Sequence, residues 1–150
     1  MIEIDYDLYK QYLRITKRGE KLYIYDPVRK KELVLQPEEL VRQLTLQYLL
    51  VEKGYKIGQI RIEKGLRLHQ LAKRCDIIVY GPGIQPFLLV ECKSRSEPLN
   101  QKVFDQIARY NMPLKAPYLM VTNGMVTFAC FIDHELGEYR FIKEIPDLKK

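Results

Sequence analysis

The sequence lacks several features that would assign a function class at once. It has no run of ~18 apolar residues, the length that spans a membrane as a helix. It has no Gly-x-x-x-x-Gly-Lys-Ser/Thr loop, so it encodes no ATP-driven motor. Residues 1–5 are acidic and lack the basic-then-apolar layout of a signal peptide. From these absences we expect a cytoplasmic protein that has no membrane partner.

Cysteine is also scarce. Its three positions, Cys75, Cys92 and Cys130, all lie in apolar, strand-like runs, and none belongs to a C-x-x-C pair. An odd count without that spacing argues against a disulfide framework and against a zinc site. We therefore expect all three cysteines to be small core residues.

The charge balance is basic, with a formal net charge of +6 and a pI near 9.2. A basic surface favours polyanions through the release of counterions. The positive residues are dispersed, however, and no block is long enough to be a disordered basic tail. The charge is thus compatible with nucleic-acid binding without indicating it alone. The length of 150 residues predicts one domain, residues 1–150.

Strand-like runs are mixed with two helical patterns. One helix is predicted from Pro37 to a stop at Gly54, and a second over residues 99–110. Strands are expected over residues 12–15, 21–25, 32–35, 57–63, 73–80, 87–93, 116–122, 125–132 and 138–142. Residues 1–35 would then form an N-terminal β-meander. Strands mixed with crossover helices predict an α/β fold with a mixed sheet.

Two of these apolar strands carry charges that need a reason. Asp76 lies on one strand, and Glu91 and Lys93 end the next, with a Gly81-Pro82-Gly83 turn between them. Side chains alternate along a strand, so Glu91 and Lys93 share a face, which Asp76 joins if the strands form a hairpin. Two carboxylates beside an ammonium suit Mg²⁺ and phosphodiester hydrolysis. A solvent-facing Glu91–Lys93 ion pair, with Asp76 capping a turn, is the competing interpretation.

Short motifs extend this pattern across residues 36–125. They are Pro37-Glu38-Glu39-Leu40-Val41-Arg42-Gln43, Gly54-Tyr55, Asp76, Glu91-Cys92-Lys93, Gln106-Ile107-Ala108-Arg109-Tyr110 and Val121-Thr122-Asn123-Gly124. In this order the chain resembles the PD-(D/E)XK nuclease superfamily, and most closely the N-terminal domain of type I restriction enzyme R subunits. The resemblance implies a restriction-endonuclease-like α/β sandwich: a central mixed sheet flanked by helices. Its core order is helix–strand–strand–strand–helix–strand over residues 36–125, with extra strands in 1–35 and 126–150.

The resemblance also implies roles for individual residues. Asp76 and Glu91 would bind Mg²⁺ or Mn²⁺, and Lys93 would orient the attacking water or stabilise charge on the phosphate. Glu39 would reach a further ligand or water position, although Glu38 is an open alternative at this point. Cys75 stands where the superfamily pattern has proline.

DNA contacts are expected from the second helix and the loop before it. Gln106 and Tyr110 lie at i and i+4, so they share one helical face that can point at the site or at the DNA backbone. Lys102, Arg109 and Arg95 are candidate phosphate contacts, and solvated charges are the alternative for each.

The function predicted from these residues is a metal-dependent DNA endonuclease that resembles the nuclease module of a type I restriction system. The alternative is a nucleic-acid-binding or assembly module that cuts poorly or not at all. Either would work with a separate motor, methyltransferase or specificity subunit. A nuclease for RNA or branched junctions is a third possibility. The intact set of Asp76, Glu91 and Lys93 favours the enzyme, because a module that only binds DNA has no need of paired carboxylates facing phosphate.

Overall fold

The computed structural model describes residues 1–62 and 76–147. In these residues the helices are α1 (Pro37–Val51) and α2 (Gln101–Asn111), and a 3-10 helix covers Tyr6–Tyr12. The strands are β1 (Ile15–Arg18), β2 (Lys21–Asp26), β3 (Lys31–Val34), β4 (Ile60–Ile62), β5 (Ile77–Gly81), β6 (Gln85–Cys92), β7 (Tyr118–Thr122), β8 (Thr127–Asp133) and β9 (Glu138–Phe141). Within the described ranges, no helix is long and apolar enough to cross a membrane.

Six strands form one mixed sheet in the order β4-β5-β6-β7-β8-β9. β6 and β7 are parallel and are joined through α2, whereas the other neighbours are antiparallel. The chain order α1-β4-β5-β6-α2-β7 is the predicted core order, and β8 and β9 extend the sheet. The expectation of a restriction-endonuclease-like α/β fold is confirmed.

Helices cover both faces of this sheet. Alternate residues of β6 separate between two cores: Leu88 and Val90 pack in the cluster that contains α1, and Leu89 packs in the cluster that contains α2. Because both faces are covered, the central strands are continuous apolar runs rather than alternating ones. A charged residue at the end of such a strand therefore lies beside a dry core.

The N-terminal extension forms its own antiparallel sheet in the order β1-β2-β3, so the predicted meander is confirmed. The prediction of a first strand over residues 12–15 is wrong, because β1 begins at Ile15 and a 3-10 helix extends as far as Tyr12. The preceding 3-10 helix starts where the Asp5 carboxylate caps the N–H of Asp7. Residues i and i+3 eclipse in a 3-10 helix, so Tyr6 and Tyr9 bury the same face.

Two other predictions differ in extent. Residues Ile57–Gln59 form a 3-10 turn, so the strand expected over 57–63 is reduced to β4. The strand expected over 73–80 is observed from Ile77, and its residues 73–75 lie outside the described part of the chain. Residues 148–150 of the expected C-terminal segment lie outside it as well.

The cysteine prediction is confirmed where it is described. Cys92 and Cys130 are buried free thiols, and Cys75 lies outside the described residues. Burial raises the pKa of the Cys92 thiol well above its ordinary value, and raises the pKa of Cys130 to about 12. Both therefore stay protonated and unreactive at neutral pH.

The buried hydroxyl of Tyr6 connects the N-terminal extension to the core. It donates to Thr122 Oγ1 on β7 at 2.9 Å and is hydrogen-bonded to Thr45 Oγ1 on α1 at 3.0 Å. Burial is the main reason that the pKa of Tyr6 rises to about 12, so the group remains a neutral donor. This contact joins three segments that are far apart in the sequence.

We expect Tyr6→Phe to lower the free energy of unfolding by about 1–2 kcal/mol, because it leaves buried hydroxyl partners without their hydrogen bond. Urea denaturation followed by circular dichroism measures the change. Tyr12→Phe is the matched control, since Tyr12 is 42% exposed and should change stability by less than about 0.5 kcal/mol. Equal effects of the two changes would contradict the role given to the Tyr6 hydroxyl.

Candidate active site

Asp76 lies at a bend one residue before β5, where it contacts the end of β6. Its N–H donates to the carbonyl of Val90 at 2.9 Å, and its carboxylate Oδ2 accepts the N–H of Cys92 at 2.7 Å. The side chain is only 3% exposed. The Asp76 carboxylate is thus fixed against the backbone of the residue that separates Glu91 from Lys93.

A buried arginine holds the other carboxylate oxygen. Arg42, on α1, is fully buried, and its Nη2 donates to Asp76 Oδ1 at 2.7 Å. The same guanidinium donates to Glu39 at 2.7 Å and to Glu38 at 3.0 Å. One guanidinium therefore connects two acidic residues in the first turn of α1 with Asp76 at the start of β5.

The guanidinium remains charged in this position. Burial alone lowers the pKa of Arg42, but the charge of Asp76, the hydrogen bond to Asp76 and the charge of Glu39 outweigh burial and raise that pKa above its ordinary value. Arg42 is consequently a permanent cation inside an acidic cluster.

Glu39 is the buried member of the acidic pair on α1. Its two oxygens accept from Arg42 at 2.7 Å, from Gln43 Nε2 at 3.1 Å and from Arg29 Nη2 at 3.4 Å. Arg29 in turn donates from Nε to Asp26 at 2.7 Å. Glu38 is the more exposed of the two, with 28% of its side chain accessible. Glu39 therefore reaches the Asp76 region through Arg42.

Glu91 and Lys93 lie at the end of β6, and both are half-buried. Glu91 is two residues after Leu89 on β6, so the two side chains begin on the same face of the sheet, where Leu89 packs in the α2 core. The residue opposite Glu91 on β7 is Val121. Lys93 follows β6 directly, and its N–H donates to the carbonyl of Thr122 at 2.8 Å. The structure thus places Asp76 beside this strand end, where its Oδ1 contacts α1. Glu91 is two residues after Leu89 and so begins on the face of the sheet that packs against α2.

The candidate DNA contacts lie on solvent-exposed surfaces. Lys102, Gln106, Arg109 and Tyr110 are exposed on α2, whose opposite face buries the residues Phe104, Ala108 and Asn111. Arg95 is exposed in the loop after β6 and lines two adjoining clefts next to the start of α1. Among the described residues, the hydrogen bonds to the Asp76 carboxylate come from α1 and β6, and none comes from α2.

Comparison with known proteins places this chain in a family. A family model described as the N terminus of type I restriction enzyme R proteins matches residues 37–146. The chain belongs to this family. The match begins at the first residue of α1 and extends past β9, so it covers the whole six-stranded sheet, while residues 1–36 lie outside it. A search of curated proteins found no match.

The family membership raises the question of whether the site fits a divalent cation. Asp76 Oδ1 accepts two hydrogen bonds from Arg42, whereas Oδ2 accepts one from the described residues, that of the Cys92 N–H. Mg²⁺ in proteins is commonly held by one or two carboxylates and several waters. Asp76 Oδ2 is one such oxygen. Glu91, at the end of the adjoining strand, begins on the α2 side of the sheet, so its carboxylate would have to turn towards Oδ2 to be the second. Within residues 1–62 and 76–147, no cluster of three His, Cys, Asp or Glu residues is arranged for a metal.

Within the described residues, the ion-pair network around Asp76 joins the carboxylates of Asp26, Glu38, Glu39 and Asp76 to two guanidinium groups, those of Arg29 and Arg42. This network has a formal charge of −2, and Lys93 at the end of β6 is not part of it. The oxygens of Glu39 are already occupied by donors, so this residue fits the positioning of Arg42 better than direct binding of a metal.

Proposed function

We propose that this chain is a Mg²⁺-dependent DNA endonuclease module of a restriction system, with Mn²⁺ as an alternative metal. The observation that supports it most is the buried Asp76 carboxylate, which is fixed by Arg42 and by the Cys92 N–H between Glu91 and Lys93. Membership of the type I R-protein family supports DNA as the substrate and phosphodiester hydrolysis as the reaction.

In this proposal, Asp76 and Glu91 would hold the metal ion. A bound divalent cation would supply a more acidic water and a polarised phosphoryl oxygen to the reaction. Lys93 stabilises the negative charge that develops on the phosphate, because a positioned cation near a dry core acts in a low dielectric. Arg42 is a positioning residue: its contact with Oδ1 orients the Asp76 carboxylate, and Glu39 orients Arg42.

The exposed residues around this centre are proposed as DNA contacts. Gln106 and Tyr110 would approach the substrate from one face of α2, and Lys102, Arg109 and Arg95 would contact phosphates. A separate motor, methyltransferase or specificity subunit would supply what this sequence lacks, since it carries no motor motif.

A second candidate function rests on a different observation. Arg42 already provides a cation to the acidic residues of α1 and to Asp76, and the described residues contain no three-residue metal group. Both findings are compatible with a module that keeps the fold, binds DNA and does not cut it. The two functions differ in whether Mg²⁺ binds.

Isothermal titration with Mg²⁺ tests the proposal. We expect the wild type to bind Mg²⁺, and we expect both Asp76→Asn and Glu91→Gln to weaken this binding at least about tenfold. Roughly tenfold is the smallest loss of metal affinity that is typical when a residue that only orients a metal ligand is replaced. Glu97→Gln removes an exposed carboxylate from the loop after β6 and is the matched control. Equal affinity in all four proteins would contradict the assignment, and no binding by the wild type would favour the second function.

A further inference from the structure

The outward face of the N-terminal sheet carries arginines that stack on tyrosines. The register pairs Thr16 with Tyr23 and Tyr25 with Glu32, which puts alternate residues of the three strands on one side. We call this side the Arg–Tyr face and define it as Arg14, Thr16, Arg18, Lys21, Tyr23, Tyr25, Glu32 and Val34. The other side of the sheet holds Ile24 and Asp26, both fully buried, so the Arg–Tyr face points away from the body of the protein.

Two guanidinium groups on this face are held by aromatic rings. The guanidinium carbon of Arg14 lies 4.8 Å from the centroid of the Tyr25 ring, and that of Arg18 lies 4.0 Å from the Tyr23 ring. Arg18 also forms an ion pair with Glu32, yet 55% of its side chain remains exposed. Stacking restricts the arginine rotamers, and the N–H groups at the edge of the guanidinium plane can still donate hydrogen bonds to an anion.

The Arg–Tyr face is basic. It carries Arg14, Arg18 and Lys21 against one acidic residue, Glu32, which is a formal net charge of +2. The face lies outside the residues that match the family model. A function of this surface is thus additional to what the family match describes.

We propose that the Arg–Tyr face binds the phosphate backbone of duplex DNA next to the active site; this inference rests on the proposed function for its ligand. Arg14 and Arg18 are four residues apart on an extended chain, a separation of ~13 Å. A duplex carries about one charge per 1.7 Å of axis, so several phosphates lie within that distance. Contacts of this kind fix the position of DNA without reading its sequence.

The position of the sheet supports a shared substrate. Arg29, in the turn between β2 and β3, contacts Asp26 at the end of β2 and Glu39 on α1. Glu39 in turn contacts Arg42, the residue that holds Asp76. The sheet is therefore anchored to the acidic cluster through the side that carries Asp26, and the Arg–Tyr face is the outward side of the same three strands. In the proposal, a duplex that reaches the site also contacts this outward face.

The test is DNA binding by the full chain, measured as fluorescence anisotropy of a short labelled duplex in EDTA over a series of salt concentrations. The face variant is Arg14→Gln/Arg18→Gln/Lys21→Gln. The control variant, Lys56→Gln/Lys115→Gln/Lys143→Gln, removes the same charge from exposed lysines elsewhere. We expect the face variant to bind about tenfold or more weakly at low salt, with a slope of log K against log salt that is smaller by about 2–3. The control variant should keep the slope of the wild type.

The proposal is overturned if the face and control variants lose affinity equally, or if the wild type shows no salt-dependent duplex binding. Because EDTA prevents metal-dependent cutting, failure of the nuclease activity leaves this result unaffected, and failure of the face leaves the nuclease proposal standing. If circular dichroism shows that the triple variant is unfolded, Lys21→Gln replaces it and leaves both Arg–Tyr stacks intact, with Lys56→Gln as its control. A slope smaller by about 1 is then expected, and a slope equal to that of the control overturns the proposal.

Discussion

Replacing Arg42 by methionine is expected to lower the free energy of unfolding by about 3–5 kcal/mol at neutral pH. Methionine fills a similar volume, so the loss comes from charge rather than from a cavity. The substitution leaves Asp76 and Glu39 buried without the guanidinium that both contact. Removing one partner of a buried ion pair is strongly destabilising because the remaining charge is neither solvated nor compensated.

Chemical denaturation measures this change, with Arg109→Met as the matched control on the exposed face of the other helix. The control should alter stability by no more than about 0.5 kcal/mol. Arg42→Lys should recover only part of the loss, since a compact ammonium cannot reproduce the fork that reaches Asp76, Glu39 and Glu38 together. A loss below about 1 kcal/mol for Arg42→Met would mean that the buried cluster does not hold Asp76 in place.

Lys93→Ala is expected to reduce the rate of metal-dependent DNA cleavage by roughly 10²-fold or more, the scale of losing one positioned group that stabilises the transition state. Metal affinity should stay nearly constant or rise slightly, because the substitution removes a repelling charge near the bound ion. Affinity for DNA should fall only modestly. The assay is nicking of supercoiled plasmid at matched occupancy of the DNA by wild type and variant.

Lys143→Ala is the control for this experiment, since it removes an exposed lysine that follows the last strand of the sheet. It should cut at the wild-type rate. If Lys93→Ala cuts as fast as the wild type, the catalytic role proposed for Lys93 is wrong. If it cuts slowly only because DNA binding fails, Lys93 is a binding residue instead.

Much of the fold could be predicted from local patterns. The turn around Gly83, which has a φ of 72°, and the apolar runs on either side of it specify the β5–β6 hairpin. The helical spacing that begins at Pro37 specifies α1. Those two patterns also place Asp76 near the end of β6, because a hairpin brings the start of one strand to the end of the other.

The role of Arg42 could not be predicted in the same way. In the sequence it lies three and four residues after Glu39 and Glu38, which is typical of an exposed ion pair on a helix. A signal was nevertheless present: residues 43–51 contain no charged residue, so the helix after Arg42 lacks the charged face of a typical surface helix. The 3-10 helix that includes Tyr6 and Tyr9 helps to cover α1, and contacts so distant in sequence leave no local pattern.

The prediction of the first strand is wrong because distant contacts again decide the local structure. Tyr12 and Leu13 fit a strand pattern, but the Asp5 cap and the burial of Tyr6 and Tyr9 extend the 3-10 helix as far as Tyr12. Tertiary burial therefore outweighs local β-propensity at this point.

The measurement that tests the central claim most directly is nicking of supercoiled plasmid by the purified wild type with Mg²⁺ or Mn²⁺, with EDTA and Asp76→Asn as the two controls. A metal-dependent nuclease centred on Asp76 predicts nicked DNA with either metal and intact supercoiled DNA in both controls. Supercoiled plasmid that stays intact with the wild type and metal, even after motor and specificity subunits are added, would contradict the nuclease function. Equal cutting by Asp76→Asn would contradict the site.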